Sequence, residues 1–390
     1  MKHILLTIIF CLAANSSVGH TKNERTVSHE KVQFSHRVDS ETTQSLKDIG
    51  VSQDSKSYYR EVTGKQLNQG VEVLTDGENA VIKLTPGQRA TTRSGAKAVV
   101  PQVPFDLELY KGGEMLSVQD PSIQMQKTSD SLRNSSPQLF KDSEVMKIPQ
   151  SMGRGKFKLK ANTKVNDDDR FVMYVLDQNS DIELNVDSPK SAYSQDENLV
   201  FTAGVSSKRK LKNPSIKTVL VAPDGRRFPI KNTGKSNRVK GNWKLDIDTQ
   251  REVGELWSLE VESTVLNDQL VATKRIAKIA LDIHPETASL DSIATKSGAM
   301  NLLVNVKQRG RYEVRALVAG VDDSGKSKPV SLTYHAEWLE PGLQSIEFPI
   351  DKKQLKASKF QGPFVVQSVQ LLDQSRMSSL SVQEGKWIID

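Results

Sequence analysis

Cysteine is nearly absent from this chain of 390 residues, in which Cys11 is the only one. One thiol cannot form a disulfide within the chain, and it cannot supply the several thiolates of a zinc or iron–sulfur centre. The folded chain must therefore be held together by buried apolar side chains and backbone hydrogen bonds, without covalent crosslinks. Such stabilisation is sufficient for domains of about 100 residues.

Long uncharged apolar runs are also scarce, and the longest lies at the N-terminus. Met1-Lys2-His3 is a short basic start, the stretch 4–14 is apolar, and small and polar residues follow as far as Gly19. This is the order of a secretory signal peptide. The run has about half of the ~20 residues that a membrane-spanning helix needs. We therefore predict that residues 1–19 are a cleaved signal peptide, the alternative being an uncleaved N-terminal helix.

Export to the periplasm or the extracellular medium of a bacterium follows from this prediction. Cleavage would remove Cys11 and leave a mature chain without a thiol. A lipoprotein signal has a small residue just before its cysteine, whereas Phe10 precedes Cys11, so we expect no lipid attachment. No later segment is long and apolar enough to span a membrane, and we expect no membrane-spanning segment in the mature protein.

Motifs of common enzymes are missing as well. The sequence has no Gly-x-Ser-x-Gly elbow, His-Glu-x-x-His zinc motif, Walker loop or dinucleotide-binding glycine pattern. His335 lies on a predicted strand beside Glu337 and Trp338, where a catalytic base is one interpretation and a buried structural histidine is the favoured one. The sequence therefore assigns no catalytic, cofactor-binding or metal-ligating residue, and it predicts no cofactor.

Positive charge is in excess, with 54 lysines and arginines against 47 acidic residues and a net charge of +7. The densest basic run is 206–212, between two strand-like segments. It is either a polyanion-binding patch or a solvated loop, and the loop is the favoured interpretation. No aromatic residue is interleaved with the run, so we expect no nucleic-acid binding.

Short alternating segments dominate the rest of the chain. Strands of five to eight residues separated by turns every 8–12 residues are typical of antiparallel sandwiches, and no sustained helical period is present. The sequence therefore predicts an all-β fold of tandem antiparallel, immunoglobulin-like β-sandwich domains. The main predicted strands are 70–74, 80–84, 105–110, 156–160, 170–176, 182–186, 199–203, 216–221, 228–230, 243–247, 256–261, 272–283, 300–306, 311–318, 330–335, 343–350 and 364–372.

The pattern divides the chain into five parts. Residues 1–19 are the signal peptide, and the polar stretch 20–55 is predicted to be a flexible leader. We then expect an N-terminal β-rich domain at 56–180, an immunoglobulin-like β-sandwich at 181–285 and a C-terminal β-sandwich at 286–390. The dipeptide His284-Pro285 marks the last boundary.

Two local predictions concern the N-terminal domain. Strands 70–74 and 80–84 flank the turn residues 76–79, which favours a β-hairpin. Residues 118–150 lose the alternation and contain several prolines, so we expect a long loop with a short helix near 138–146.

Tryptophans and aspartates are the remaining candidates for binding. Trp243 and Trp257 alternate with aliphatic residues and are predicted to be core residues, whereas Trp338 and Trp387 are candidates for stacking on a sugar. Aspartates cluster at 167–169, 322–323 and the pair Asp246 and Asp248. They could hold Ca²⁺, but bonding to their own turn backbone is the favoured interpretation.

Several segments carry a family resemblance. The stretches 58–86, 221–225, 254–261, 310–315 and 362–364, together with Leu371-Leu372-Asp373-Gln374-Ser375-Arg376-Met377, resemble an uncharacterised secreted bacterial family known as domain of unknown function 4785. The resemblance covers most of the mature chain. It implies three β-rich domains and export, and it supplies no activity and no catalytic residues.

The leading functional hypothesis is a secreted, non-enzymatic, multi-domain protein that binds an extracytoplasmic protein or polysaccharide. One alternative is a secreted hydrolase whose site is assembled from scattered carboxylates. Another is a polysaccharide-binding accessory module that uses Trp338.

Overall fold

The structure is a computed structural model that describes residues 28–38, 46–87, 101–103, 107–116, 143–296 and 299–389. Within these ranges the chain is nearly all β, which confirms the predicted fold class. The predicted signal peptide and Cys11 lie outside the described residues.

The described elements are 26 strands, two short α-helices and a 3-10 turn at Gln150–Met152. The helices are α1 Gly64–Gln69 and α2 Lys352–Lys356. The strands are β1 Val32–Arg37, β2 Val51–Ser55, β3 Ser57–Thr63, β4 Val71–Thr75, β5 Val81–Pro86, β6 Leu107–Lys111, β7 Glu114–Leu116, β8 Glu144–Lys147, β9 Gly155–Ala161, β10 Arg170–Leu176, β11 Glu183–Ser188, β12 Ala192–Ser194, β13 Asn198–Ser206, β14 Lys212–Val221, β15 Arg227–Ile230, β16 Thr233–Lys235, β17 Arg238–Lys244, β18 Trp257–Leu266, β19 Ala272–His284, β20 Ala288–Lys296, β21 Ala299–Val306, β22 Gly310–Val321, β23 Ser327–Leu339, β24 Gly342–Pro349, β25 Gln361–Asp373 and β26 Ser378–Ile389.

The N-terminal sandwich consists of the sheets β3-β10-β5-β8 and β4-β9-β6-β7. Alternation along each strand turns one set of side chains inward, and the buried rings of Phe157 and Phe171 lie in the resulting core. Leu67 of α1 completes this core. The helix begins at a capping box in which Thr63 and Gln66 each bond the other's backbone amide.

The predicted hairpin at 70–84 is wrong, because β4 and β5 belong to opposite sheets of this sandwich. The Asp177 carboxylate accepts hydrogen bonds from the backbone amides of Asp76 (2.7 Å) and Gly77 (2.9 Å). These bonds hold the connection as an arch from one sheet to the other. The short helix predicted near 138–146 is wrong where it is described, since 144–147 form β8 beside β5.

The middle sandwich consists of the sheets β16-β17-β13-β11-β2 and β12-β19-β18-β14-β15. All described pairings in it are antiparallel except that of β12 with β19. Trp257 is fully buried in its core, 6.1 Å from the ring of Phe228, so the prediction of a core tryptophan on β18 is confirmed. Leu259 and Val261 share its face and are equally buried.

The C-terminal sandwich packs the sheet β20-β21-β24 against the sheet β1-β23-β22-β25-β26. Tyr312 and Phe348 are the largest side chains of its core. The outer face of the five-stranded sheet carries the surface that is described in the next subsection.

The flexible leader predicted for residues 20–55 is wrong for two segments. Strand β1 pairs with β23 of the C-terminal sandwich, and β2 pairs with β11 of the middle sandwich. Both are edge strands that gain backbone hydrogen bonds from a neighbour, so they need only a weak apolar alternation of their own. Between them, the Asp48 carboxylate accepts hydrogen bonds from the amides of Ser191 (2.9 Å) and Ala192 (3.1 Å). The leader therefore ties the last two sandwiches together.

Candidate functional site

An aromatic surface covers one edge of the five-stranded sheet of the C-terminal sandwich. Phe34 and His36 of β1, Tyr334 of β23 and Arg315 of β22 project from its outer side, and we call these four residues the aromatic face. The register places them together, because Phe34 pairs with Tyr334 and Tyr334 pairs with Arg315. Directly paired residues in an antiparallel sheet share one face.

The rings of the aromatic face form a ladder across the strands. The Phe34 and Tyr334 centroids are 4.7 Å apart with their planes 17° from parallel, and His36 lies 5.4 Å from Tyr334. The Arg315 guanidinium carbon lies 5.4 Å from the Tyr334 ring centroid. Tyr334 is thus covered on several sides, whereas Phe34, at the sheet edge, remains 51% exposed.

A second aromatic contact joins the leader to β23. The ring of His29 stacks on Trp338 with centroids 4.2 Å apart, and the Trp338 indole N–H donates to a Glu340 carboxylate oxygen at 2.8 Å. Arg311 holds this part of the leader by donating to the carbonyls of Ser28 (2.9 Å) and Glu30. Trp338, predicted as a stacking residue, is therefore only half-exposed and already has a stacked partner.

Sequence reasoning missed most of this site. Phe34 and His36 lie in the stretch 20–55, for which the sequence predicts a flexible leader, and Tyr334 lies in the predicted strand 330–335. The available signal was the spacing Val32, Phe34, His36, which is a short period-two pattern. It is too brief to reveal a strand whose pairing partner lies about 300 residues away.

The other predicted candidates are not at this site. His335 points into the core of the C-terminal sandwich, fully buried, with its ring 6.1 Å from Phe348 and its Nε2 3.0 Å from a Glu337 carboxylate oxygen. A substrate in solution cannot reach it. Trp243 and Trp387 are half-buried and pack against the cores of the middle and C-terminal sandwiches.

Two of the three aspartate clusters bond to their own turns, whereas Asp167 of the cluster 167–169 accepts a hydrogen bond from the Asn68 side chain at 2.9 Å. Asp322 accepts hydrogen bonds from the Ser324 hydroxyl and from the amides of Ser324 and Lys326, and these bonds, the hydroxyl first, lower its pKa to about 2. Asp248 likewise accepts from the amide of Gln250. No group of three or more metal-binding side chains occurs among the residues that the structure describes.

The basic run 206–212 is not only a solvated loop, which is the interpretation that the sequence favours, because Arg209 within it pairs with three carboxylates. Arg209 contacts Asp76 of the N-terminal sandwich at 2.5 Å, Asp268 of the middle sandwich at 2.9 Å, and Asp181 between them. The hydrogen bond from Arg209 is the main cause that holds the pKa of Asp181 below its usual range. Arg209 therefore clamps the joint between two sandwiches, a role that a charge run alone cannot reveal.

A buried ion pair lies behind this clamp. Arg275 and Asp177 are both fully buried and 2.8 Å apart, and Arg275 also donates to the Ile182 carbonyl at 2.9 Å. Because Asp177 holds the arch of the N-terminal sandwich and Arg275 lies on β19, the pair fastens the first two sandwiches to each other. The carboxylates of this region are therefore paired with arginines and stabilise the contact between the first two sandwiches.

Two models of one protein family match the chain. A profile described as "Domain of unknown function (DUF4785) N-terminal domain" matches residues 23–177, and one described as the C-terminal domain of the same family matches residues 286–386. Together the two matches span well over half of the chain. The protein therefore belongs to the DUF4785 family, as the resemblance predicted.

Solved structures agree at the level of the fold. The chain is similar to a DUF4785 family protein from Legionella pneumophila subsp. pneumophila str. Philadelphia 1, with a TM-score of 0.76 and 21% identity over 92% of this chain and 93% of that one. At this identity the likeness shows the fold alone.

Two further similarities are too weak to indicate a shared fold. One is to the native conformation of alpha-2-macroglobulin from E. coli, with a TM-score of 0.27 and 11% identity over 88% of this chain and 20% of that one. Another is to a tetra-tandem repeat in the extending region of a large adhesion protein, with a TM-score of 0.18 and 10% identity over 86% and 74%. No curated protein matches the chain. Among the described helices, none is long and apolar enough to cross a membrane.

Proposed function

We propose that the protein is exported and acts by binding an extracytoplasmic partner through the aromatic face, without catalysis. The observation that carries this proposal is Phe34, which is 51% exposed although its ring is stacked on Tyr334. Full burial of an aromatic ring contributes roughly 1.5–3 kcal/mol of favourable free energy, which a ring exposed to water does not gain. A partner that covers Phe34 recovers part of this free energy.

The partner that this chemistry fits best is a glycan. Ligand sites combine aromatic contact surface with a few polar groups that fix orientation. Phe34 offers an apolar surface to the C–H side of a sugar ring, while the His36 imidazole and the Arg315 guanidinium offer hydrogen bonds to its hydroxyls. The signal-peptide pattern supports a partner outside the cytoplasm.

Glycan-array binding by the mature chain tests the proposal. Phe34→Ala should weaken binding by roughly tenfold, since covering the ring recovers part of the roughly 1.5–3 kcal/mol of full burial and about 1.4 kcal/mol corresponds to tenfold. Leu343→Ala is the matched control, because Leu343 is 61% exposed on the other sheet of the same sandwich. An array without any bound glycan, or equal binding by the two variants, would contradict the proposal.

A protein partner is the second candidate, and the position of β1 favours it. Strand β1 pairs only with β23 among the described strands, so its outer edge can receive a further strand. Hydrogen exchange separates the two candidates. An added strand would slow exchange of the β1 amides, whereas a glycan on the ring of Phe34 would leave them unchanged.

A carboxylate-based hydrolase has less support. A general acid needs a raised pKa, whereas Arg209 holds the pKa of Asp181 low. Panels of protease, glycosidase, esterase and phosphatase substrates are the direct test. A robust activity that one point mutation abolishes would replace the binding proposal.

Export is tested separately from binding. N-terminal sequencing of the protein from fractionated cells should find it in the periplasm or medium, starting at residue 20. An intact Met1 in the cytoplasm would refute export.

A further inference from the structure

The middle sandwich carries a second surface, which does not involve the aromatic face. A cleft of about 740 Å³ opens on the outer side of β11, β13 and β17, beside the loop that follows β13. We call it the basic cleft. Its lining includes the polar side chains of Asn185, Thr202, Ser206 and Asn237, the cations Arg209 and Arg238, and one carboxylate, Asp187.

Cations crowd the rim of this cleft. Between residues 198 and 244 the sequence has twelve lysines and arginines and one acidic residue, Asp224. Several of these cations are exposed and form no ion pair with any described residue. They include Lys208, Lys210, Lys235, Arg238 and Lys240.

The register concentrates this charge further. Lys235 of β16 lies directly opposite Arg238 of β17, and Lys240 follows Arg238 on the same side of the strand. Residues two apart on a strand are about 6.6–6.8 Å apart, and like charges that face each other destabilise a sheet. An anionic partner would remove this repulsion, so the surface is complementary to a chain of repeated negative charges.

We infer that the basic cleft binds a linear acidic polysaccharide. Its carboxylates would face Lys235, Arg238 and Lys240, and its hydroxyls would bond the Thr202 hydroxyl and the Asp187 carboxylate. A lipid surface fits less well, because the site is concave and Val200 is the main exposed apolar residue of β13. Single-stranded nucleic acid fits less well, because no aromatic ring lines the cleft.

Affinity for polygalacturonate, with dextran as the neutral polymer, tests this inference on the mature chain. We expect binding to polygalacturonate alone, and we expect it to weaken as salt rises from about 0.05 to 0.3 M. The triple variant Lys235→Gln/Arg238→Gln/Lys240→Gln should lose about tenfold in affinity. The control Lys65→Gln/Lys158→Gln/Lys164→Gln removes the same charge from the N-terminal sandwich and should change affinity less than about twofold.

A variant with unchanged charge separates the cleft from diffuse attraction. Gly204 lines the cleft, and a Cβ there would lie 3.7 Å from Arg238 Cγ, an ordinary contact distance. Gly204→Gln should therefore fold normally, fill the cleft and weaken polygalacturonate binding, with an unchanged melting temperature as the check on folding. Full affinity in this variant would overturn the inference.

Two further ligands test which class of anion the basic cleft binds. Single-stranded DNA and phosphatidylglycerol vesicles are tested under the same conditions. Equal or tighter binding of either, with the same loss in the triple variant, would overturn the assignment to a polysaccharide, as would no binding of polygalacturonate. Loss of glycan binding in Phe34→Ala would not affect this result, because Phe34 lies on a different sandwich.

Discussion

Trp257 shows how much a single side chain contributes where no crosslink assists. It is fully buried, so Trp257→Ala should cost about 3–5 kcal/mol through lost burial and a cavity, a large part of the ~5–15 kcal/mol that a domain has. We expect the middle sandwich to become protease-sensitive at 37 °C, measured by limited proteolysis. Its indole N–H has no hydrogen-bond partner among the described residues, so Trp257→Phe should be milder. Melting of Trp257→Ala within about one degree of wild type would contradict this role.

Asp181 is the residue through which pH should act on the first joint. Arg209 lowers its folded-state pKa below the unfolded value of about 3.9. The stabilisation is therefore fully present above about pH 4 and is lost as pH falls through the lower, folded pKa. We expect the difference in urea midpoint between wild type and Asp181→Asn to be largest near neutral pH and to shrink in acid. A difference that stays constant with pH would show that Asp181 does not titrate against Arg209.

Strand β1 is an element whose contribution can be measured directly. Removing residues up to 45 deletes β1 and takes the carbonyl partners of Ser28 and Glu30 from Arg311. We expect faster hydrogen exchange in β23 and a lower melting temperature of the C-terminal sandwich. A chain that starts at residue 28 keeps strand β1 and the two carbonyl groups, and it is the matched control. Equal exchange in β23 of the two chains would mean that β1 adds nothing to the sheet.

At the scale of single strands, the sequence predicts where a strand lies better than it predicts which strand pairs with it. Alternation such as that of Trp257, Leu259 and Val261 reports which side of a strand is buried, because every second side chain shares a face. It carries no information on which strand lies alongside. That is why the partners of β4 and β5 were assigned wrongly, and why β1, paired far along the chain, was missed. The aromatic face depends on that pairing and could not be predicted.

On the scale of the whole molecule, the buried pair Arg275–Asp177 should decide how the first two sandwiches hold together. Arg275→Ala leaves a buried carboxylate without its cation, which typically costs about 3–5 kcal/mol. We expect cleavage between residues 177 and 182 by limited proteolysis and a larger radius in X-ray scattering. The neighbouring Lys274→Ala is the control, since the exposed Lys274–Glu262 pair contributes about 0–1 kcal/mol. Equal resistance of the two variants would assign the joint to other contacts.

The second joint rests on a different set of groups. His284 has its two ring nitrogens 3.1 Å and 3.0 Å from the carbonyl oxygens of Pro285 and Ser379, and Arg251 contacts Asp282 at 2.5 Å and the Ser378 hydroxyl at 3.1 Å. These contacts fix the middle sandwich to the C-terminal one. The molecule therefore holds the basic cleft and the aromatic face on sandwiches that are joined firmly.

The pairing of β1 with β23 also sets an order for the making of the protein. The Ser35 hydroxyl meets that of Thr333 at 2.8 Å across 298 residues of sequence. A ribosome must therefore release almost the entire polypeptide before its first described strand can find a neighbour, and closing so long a loop has an entropic cost. A chain whose synthesis stops early would carry β1 without β23, an unpaired strand that quality control can recognise.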